Sequence, residues 1–456
     1  MLLRVVINNF MSFGEETEFN MFPNPRYSKK AHHLHHAPAY ELDFLRLGAI
    51  YGANAAGKSN FIKALSILQQ TILSEKVPAN LSNIKFRLGE SHQVQPVTIG
   101  IEFIAGDTAF LYAIQLDDNL VIAEELYQSG LGKEDDQLLF ERKSTRATTK
   151  IEFFSDFYKS TENEVFANVI EKNLSKPFKP ILKLLAELDN DALHTISAAY
   201  DWLKSDLRII TPGTKPQNLA HIIDQNPEFH QFMRHIIQSF QLGVQDIKVE
   251  KKAAVEFFGR DDSEIFHRIY QSMDEEDADV ISMTIPSGDS VSVAREDGSL
   301  VVKQLKFMHH SDLDSYSFST VEESDGTRRL LELAPAFLSI LTQKVVYLID
   351  EIESSLHPLL IKESLKIISD KIDCMGQLIF TTHESQLLDQ NIFRKDEIWF
   401  IEKDINGNSS IYSLSDFKPH HTKDIRKGYL NGRYGAVPTL GKLKDLSWLD
   451  YDTTTQ

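Results

Sequence analysis

Between residues 44 and 59 an apolar run, "FLRLGAIY", stops at "GANAAGKS", and "SNFIKALSILQQTIL" continues with apolar residues three and four apart. This reads as strand, glycine loop, helix, the context that gives the pattern G-x-x-x-x-G-K-[ST] its physical meaning. Backbone N–H groups at the start of such a helix point at one spot and favour an anion there. Gly52, Asn54, Gly57, Lys58, Ser59 and Asn60 are therefore the candidate phosphate-binding residues.

A phosphate loop alone binds and does not cleave, so the remaining chemistry must come from elsewhere in the chain. "KVVYLIDEIESSLHP" (344–358) is a short apolar strand ending in Asp350-Glu351, and open α/β sheets bind ligands at the carboxyl ends of such strands. Asp350 is the candidate to hold a Mg²⁺ ion beside the Ser59 hydroxyl, because both offer hard oxygen donors. Glu351 is the candidate to accept a proton from an attacking water. "QLIFTTHES" (377–385) is another apolar strand, and it delivers His383 to the same edge as a second catalytic candidate. Ser324 and Gly326, in "EESDGTRRLLELAPAFLSIL", open a further helix and form a second anion-favouring surface. One nucleotide has no use for two such surfaces from one subunit, so the second is expected to face the nucleotide of a neighbouring copy.

The rest of the chain is less specific. Residues 97–127 read as an antiparallel meander with turns at Gly106-Asp107 and Asp118-Asn119. From about 155 to 240 the apolar period is helical, and strand-like segments return at "VQDIKVEKK", "VISMTIP" and "LVVKQLKFMHH". The acidic "SMDEEDAD" reads as a solvated hairpin loop. "HHLHH" (32–36) has no carboxylate or cysteine at ligand spacing and reads as a solvent-exposed loop rather than a metal site. "RKSTRATTK" (142–150) reads as a solvated face; "HHTKDIRKGYLNGRYG" (420–435) reads equally as a contact surface or as structure.

The formal charge of −18 argues against coating nucleic acid by bulk electrostatics. One cysteine, Cys374, leaves no internal disulfide and no cysteine-based zinc site, which suits a cytoplasmic protein. No run of about 18 apolar residues is present, so no membrane span is expected.

The order of phosphate loop, S-x-G helix, Asp-Glu strand, "SSLHP" and strand-to-His resembles the ABC-type ATPases of the soluble SMC/RecF/OLD branch. "INNFMSF", "ESDGTRRLLEL", "DEIESSLHP", "FTTHESQLLD" and "YLNGRYGAVP" narrow the likeness to the RloA type found with bacterial phage-defence operons. The match is carried by both ends of the chain and is weak over roughly 130–240. Ser324-Asp325-Gly326-Thr327 replaces the transporters' LSGGQ, and His357 stands where they carry an aspartate. The resemblance implies an α/β fold: an ABC-type P-loop NTPase core, with a mixed sheet plus an antiparallel meander, split by a mainly helical insertion. The expected division is 1–130 and 306–456 for the core and 131–305 for the insertion. It also implies ATP and Mg²⁺ as ligands and a homodimer or higher homo-oligomer formed through the ATP sites. A separate effector protein, with a nucleic acid or phage protein as trigger, belongs to the same expectation. The alternatives are an OLD-like nuclease and a repair or SMC-like ATPase acting directly on DNA.

Overall fold

The computed structural model describes residues 1–240, 243–259, 263–275, 277–310, 314–417 and 424–437. Its centre is a six-stranded sheet in the order Leu207–Ile210, Val346–Ile349, Gln377–Thr382, Leu47–Gly52, Ile398–Lys403, Ser409–Ser413. All neighbours are parallel except the last pair. Strands Leu47–Gly52, Val346–Ile349 and Gln377–Thr382 are buried at every position, which is why they read as unbroken apolar runs. Their parallel register brings the ends of all three, and with them the chemistry-bearing residues, to one edge.

A seven-stranded antiparallel sheet packs over one face, with Leu2–Asn8 and Thr17–Asn20 at one end and the 97–128 meander beside them. The Lys58–Ser74 helix lies between the two sheets. Phe61, Ile62, Leu65, Leu68 and Ile72 share one apolar core with Ile50, Leu348 and Ile379 of one sheet and Ile99 and Phe103 of the other. Gln377 stitches the layers, accepting from Leu2 N–H and donating to the Leu2 and Leu45 carbonyls.

The segment 131–305 is not set apart from the flanking halves. Strands Gln137–Ser144 and Thr149–Phe153 extend the antiparallel sheet, and Leu207–Ile210 forms an edge of the parallel one. A smaller antiparallel sheet, Asp246–Ala253, Ser299–His310, Ser290–Glu296 and Val280–Thr284, completes the segment. The Asp325–Thr342 helix joins it to the core. Leu330, Leu333, Phe337 and Ile340 face the parallel sheet, while Leu331 and Ala334 pack with Phe229, Met233, Leu305 and Phe307 of the inserted part.

Three readings of charged or polar stretches are corrected here, and a fourth stretch divides. His33 is fully buried, its Nδ1 2.8 Å from Glu397 Oε1, so "HHLHH" is not a solvent-exposed loop. Glu397 immediately precedes Ile398, whose partner is Ala49, which puts this pair at the opposite end of the sheet from the glycine loop. Arg142 is likewise buried, held by Glu124 and by the Lys176 and Lys179 carbonyls, while Lys143, Lys150 and the turn between them are solvated. The start of "SMDEEDAD" ends the Ser263–Glu275 helix and makes no hairpin. In "GRYG", Tyr434 is buried against Phe400 and Phe417 and its carbonyl accepts from the Tyr412 hydroxyl, while Arg433 stays exposed. Residues 420–423 of the same basic stretch lie outside the described residues.

His35 carries a pH dependence. Burial pulls its pKa from 6.5 to about 4, and its Nε2 lies 3.1 Å from the Gly376 carbonyl. A depressed histidine stabilises the fold above the unfolded value, and that contribution drains away as pH falls from 6.5 towards 4. Melting scans should show His35→Gln losing less stability over that interval than the wild type, by on the order of 2 kcal/mol.

Candidate functional site

The glycine loop is shaped by what surrounds it. Gly57 has φ +119°, and a Cβ there would sit 2.6 Å from Ser409 Oγ and 2.7 Å from Ser12 Oγ. Ser409 also donates to the Ala56 carbonyl at 2.6 Å, so the last strand of the sheet clamps the loop. A Cβ at Gly52 would meet the Ile401 carbonyl at 2.6 Å. Neither glycine tolerates a side chain: one lacks the backbone freedom and both lack the room. Gly57→Ala should cost about 2 kcal/mol of strain and abolish nucleotide binding, read by titration with a fluorescent ATP analogue.

Lys58 bends its ammonium back to the Gly52 and Ala53 carbonyls, at 2.8 and 3.0 Å. Burial lowers its pKa from the ordinary value, opposed by the nearby charges of Glu353, Glu351 and Asp350. Ser59 Oγ donates to Asp350 Oδ1 at 3.2 Å, although the two are 291 positions apart. Thr381 fixes that carboxylate: its hydroxyl donates to the same oxygen at 2.6 Å and accepts the Glu351 N–H at 2.8 Å. A hydroxyl and a carboxylate on adjacent strand ends form a hard-oxygen pair of the kind that suits Mg²⁺. Glu351, half-buried, adopts φ +49°, an uncommon conformation for a residue with a side chain and one that clusters at functional sites.

His383 follows the Gln377–Thr382 strand. Its Nδ1 lies 2.8 Å from Glu353 Oε1, and its N–H donates to the same oxygen at 2.7 Å. Glu353 is buried and was not among the residues picked from the sequence. The only signal for it was a third acid two positions after Glu351 in "DEIE", which looks like ordinary loop charge. Tyr51, at the end of the neighbouring strand, is fully buried; burial first and then the Glu353 charge raise its pKa well above 10.

The remaining candidates divide. Asn54 is exposed at the loop tip. Asn60 is committed to the wall, donating to Ser12 Oγ at 2.9 Å, so it braces the loop. Ser324 caps the Asp325–Thr342 helix, accepting the Thr327 N–H at 3.1 Å, and is exposed. A Cβ on Gly326 would lie 3.1 Å from the Ser355 carbonyl, in the turn that follows Asp350-Glu351. His357 also acts as a cap, its Nδ1 accepting the Leu359 N–H at 3.3 Å.

Strand, glycine loop and helix, with an Asp-Glu strand end beside them and an antiparallel sheet above, make an α/β core with a P-loop. Residues 48–389 match the family described as "AAA domain, putative AbiEii toxin, Type IV TA system", and the chain belongs to that family. No curated protein matches it. Among solved structures it is similar to an SMC head bound to the C-terminal winged-helix domain of ScpA. That pair shares 14% identity over 90% of this chain and 97% of the other, with a TM-score of 0.41. It is also similar to the SMC head domain from Thermotoga maritima, at 13% identity over 90% and 98%, with a TM-score of 0.37. Among the described residues no helix is long and apolar enough to cross a membrane.

Proposed function

We propose that the protein is a Mg²⁺-dependent ATPase that works as a nucleotide-operated dimerising switch. The observation that carries this reading is the meeting of Ser59 with Asp350, beside Lys58 and next to Glu351 and His383. Gly52, Gly57 and Lys58 cradle the phosphates. Ser59 and Asp350 would hold Mg²⁺, which when bound neutralises charge on the phosphate oxygens. Glu351 takes the proton of the attacking water, and His383 faces the terminal phosphate.

Ser324 and Gly326 complete the pocket of a second copy. Support comes from their chemistry: an exposed hydroxyl and a glycine at the positive end of an 18-residue helix. ATP then joins two copies and hydrolysis releases them. The resemblance to RloA-type proteins supports a place for this switch as the cytoplasmic regulator of a bacterial anti-phage system. In that role a separate effector acts downstream of a nucleic acid or phage protein trigger. Purified protein should hydrolyse ATP only with a divalent cation, and Asp350→Asn should remove that activity. Unaltered turnover in the variant would sink the assignment.

A further inference from the structure

We propose that Glu353 is the positioning residue of His383, holding its imidazole with Nδ1 protonated and Nε2 turned to the open side of the site. The inference rests on the ATPase reading for its consequence, though not for its geometry. The His383 backbone N–H donates to Glu353 Oε1 at 2.7 Å, and Nδ1 lies 2.8 Å from the same oxygen as an ion-pair contact. The first contact fixes where His383 starts, and the second sets Nδ1 against the carboxylate. Glu353 is itself held still: its side chain is only 8% exposed, whereas the His383 side chain is 56% exposed. A carboxylate accepts and cannot donate, so the ring nitrogen facing it must carry the proton. That leaves Nε2, across the ring, for a ligand or a water.

The second oxygen, Glu353 Oε2, is buried and has no hydrogen-bond partner among the described residues, and neither has the Tyr51 hydroxyl. Burying a carboxylate this poorly satisfied is costly. A loop acid needed only for solubility would turn outwards. Keeping it inside favours a role that only this placement serves.

The first test uses the unaltered protein labelled with ¹⁵N-histidine. The His383 ring, identified by the signal lost in His383→Gln, should show Nδ1 bearing hydrogen. A ring protonated only at Nε2 would overturn the proposal. This reading needs no turnover, so it stands apart from the ATPase assignment. The second test is kinetic. Glu353→Leu keeps the bulk and removes both acceptors; it should lower kcat on the order of tenfold to a hundredfold with little change in KM. Glu353→Gln retains an acceptor and should recover most of that loss. Made in the His383→Gln background, Glu353→Leu should add little to the loss in kcat, because the ring it positions is already gone and only the backbone N–H contact remains to lose. Equal losses in both backgrounds would mean that Glu353 acts on the fold, and the proposal would fail. Should the leucine variant not fold, the ring spectrum still decides. If His383→Gln alone leaves turnover unchanged, the catalytic assignment fails while the Glu353 contact stays open to the spectrum.

Discussion

Glu351→Gln is expected to bind ATP as the wild type does and to hydrolyse it about a thousandfold more slowly. The amide keeps the shape of the side chain, and the backbone that sets it, with the Glu351 N–H on Thr381 Oγ1, is untouched. Only the proton acceptor is lost. Phosphate binding by the loop and Lys58 is unaffected, so the nucleotide stays where it is, uncleaved. If ATP joins two copies, the variant should accumulate as a dimer with ATP and revert to monomer when ATP is removed, since a ligand bound only by the paired state stabilises it by mass action. Sedimentation velocity with and without ATP reads this directly. Normal turnover would remove Glu351 from the role of base. Slow turnover without any change in mass would keep the base and discard the switch.

The second large effect separates a site completed within one chain from a site completed by two. Lys58→Ala should lower turnover by two orders of magnitude or more, by removing the cation that meets the phosphates. Ser324→Arg should do about the same, because a bulky cation at the positive end of a helix blocks the anion surface and opposes its dipole. Mixed in equal amounts, the two inactive proteins should regain about a quarter of wild-type activity, since a mixed dimer assembles one undamaged site from Lys58 of one copy and Ser324 of the other. No recovery on mixing would mean that Ser324 serves its own chain, as the helix cap it visibly is.

The glycine loop, the Asp-Glu strand and the 97–128 meander were legible because each is specified locally. Buried parallel strands are apolar throughout, and the loop carries its own spacing. Leu207–Ile210 was not legible: four residues at a sheet edge leave no period to read, and only pairing with Val346–Ile349 defines them. Glu353 was hidden for a different reason. Its meaning lies in a contact with His383 thirty positions on, and nothing near it in the chain signals burial. The same holds for His33, whose partner Glu397 is 364 positions away. Histidine-rich and acid-rich stretches look wet by composition, and distant pairing is what buries them.

The segment that leads into Ser324 is gripped from the side by the smaller sheet. Glu323 meets His309 of the Ser299–His310 strand at 2.6 Å, and the Val321 N–H donates to Asp289 Oδ1 at 3.1 Å. Leu331, about two turns further along the helix, is locked into the same apolar cluster as Phe307. Ser324 is thus mounted on that sheet as a latch is mounted on its handle. A body that grasps the handle turns the latch, with no need to reach the keyhole.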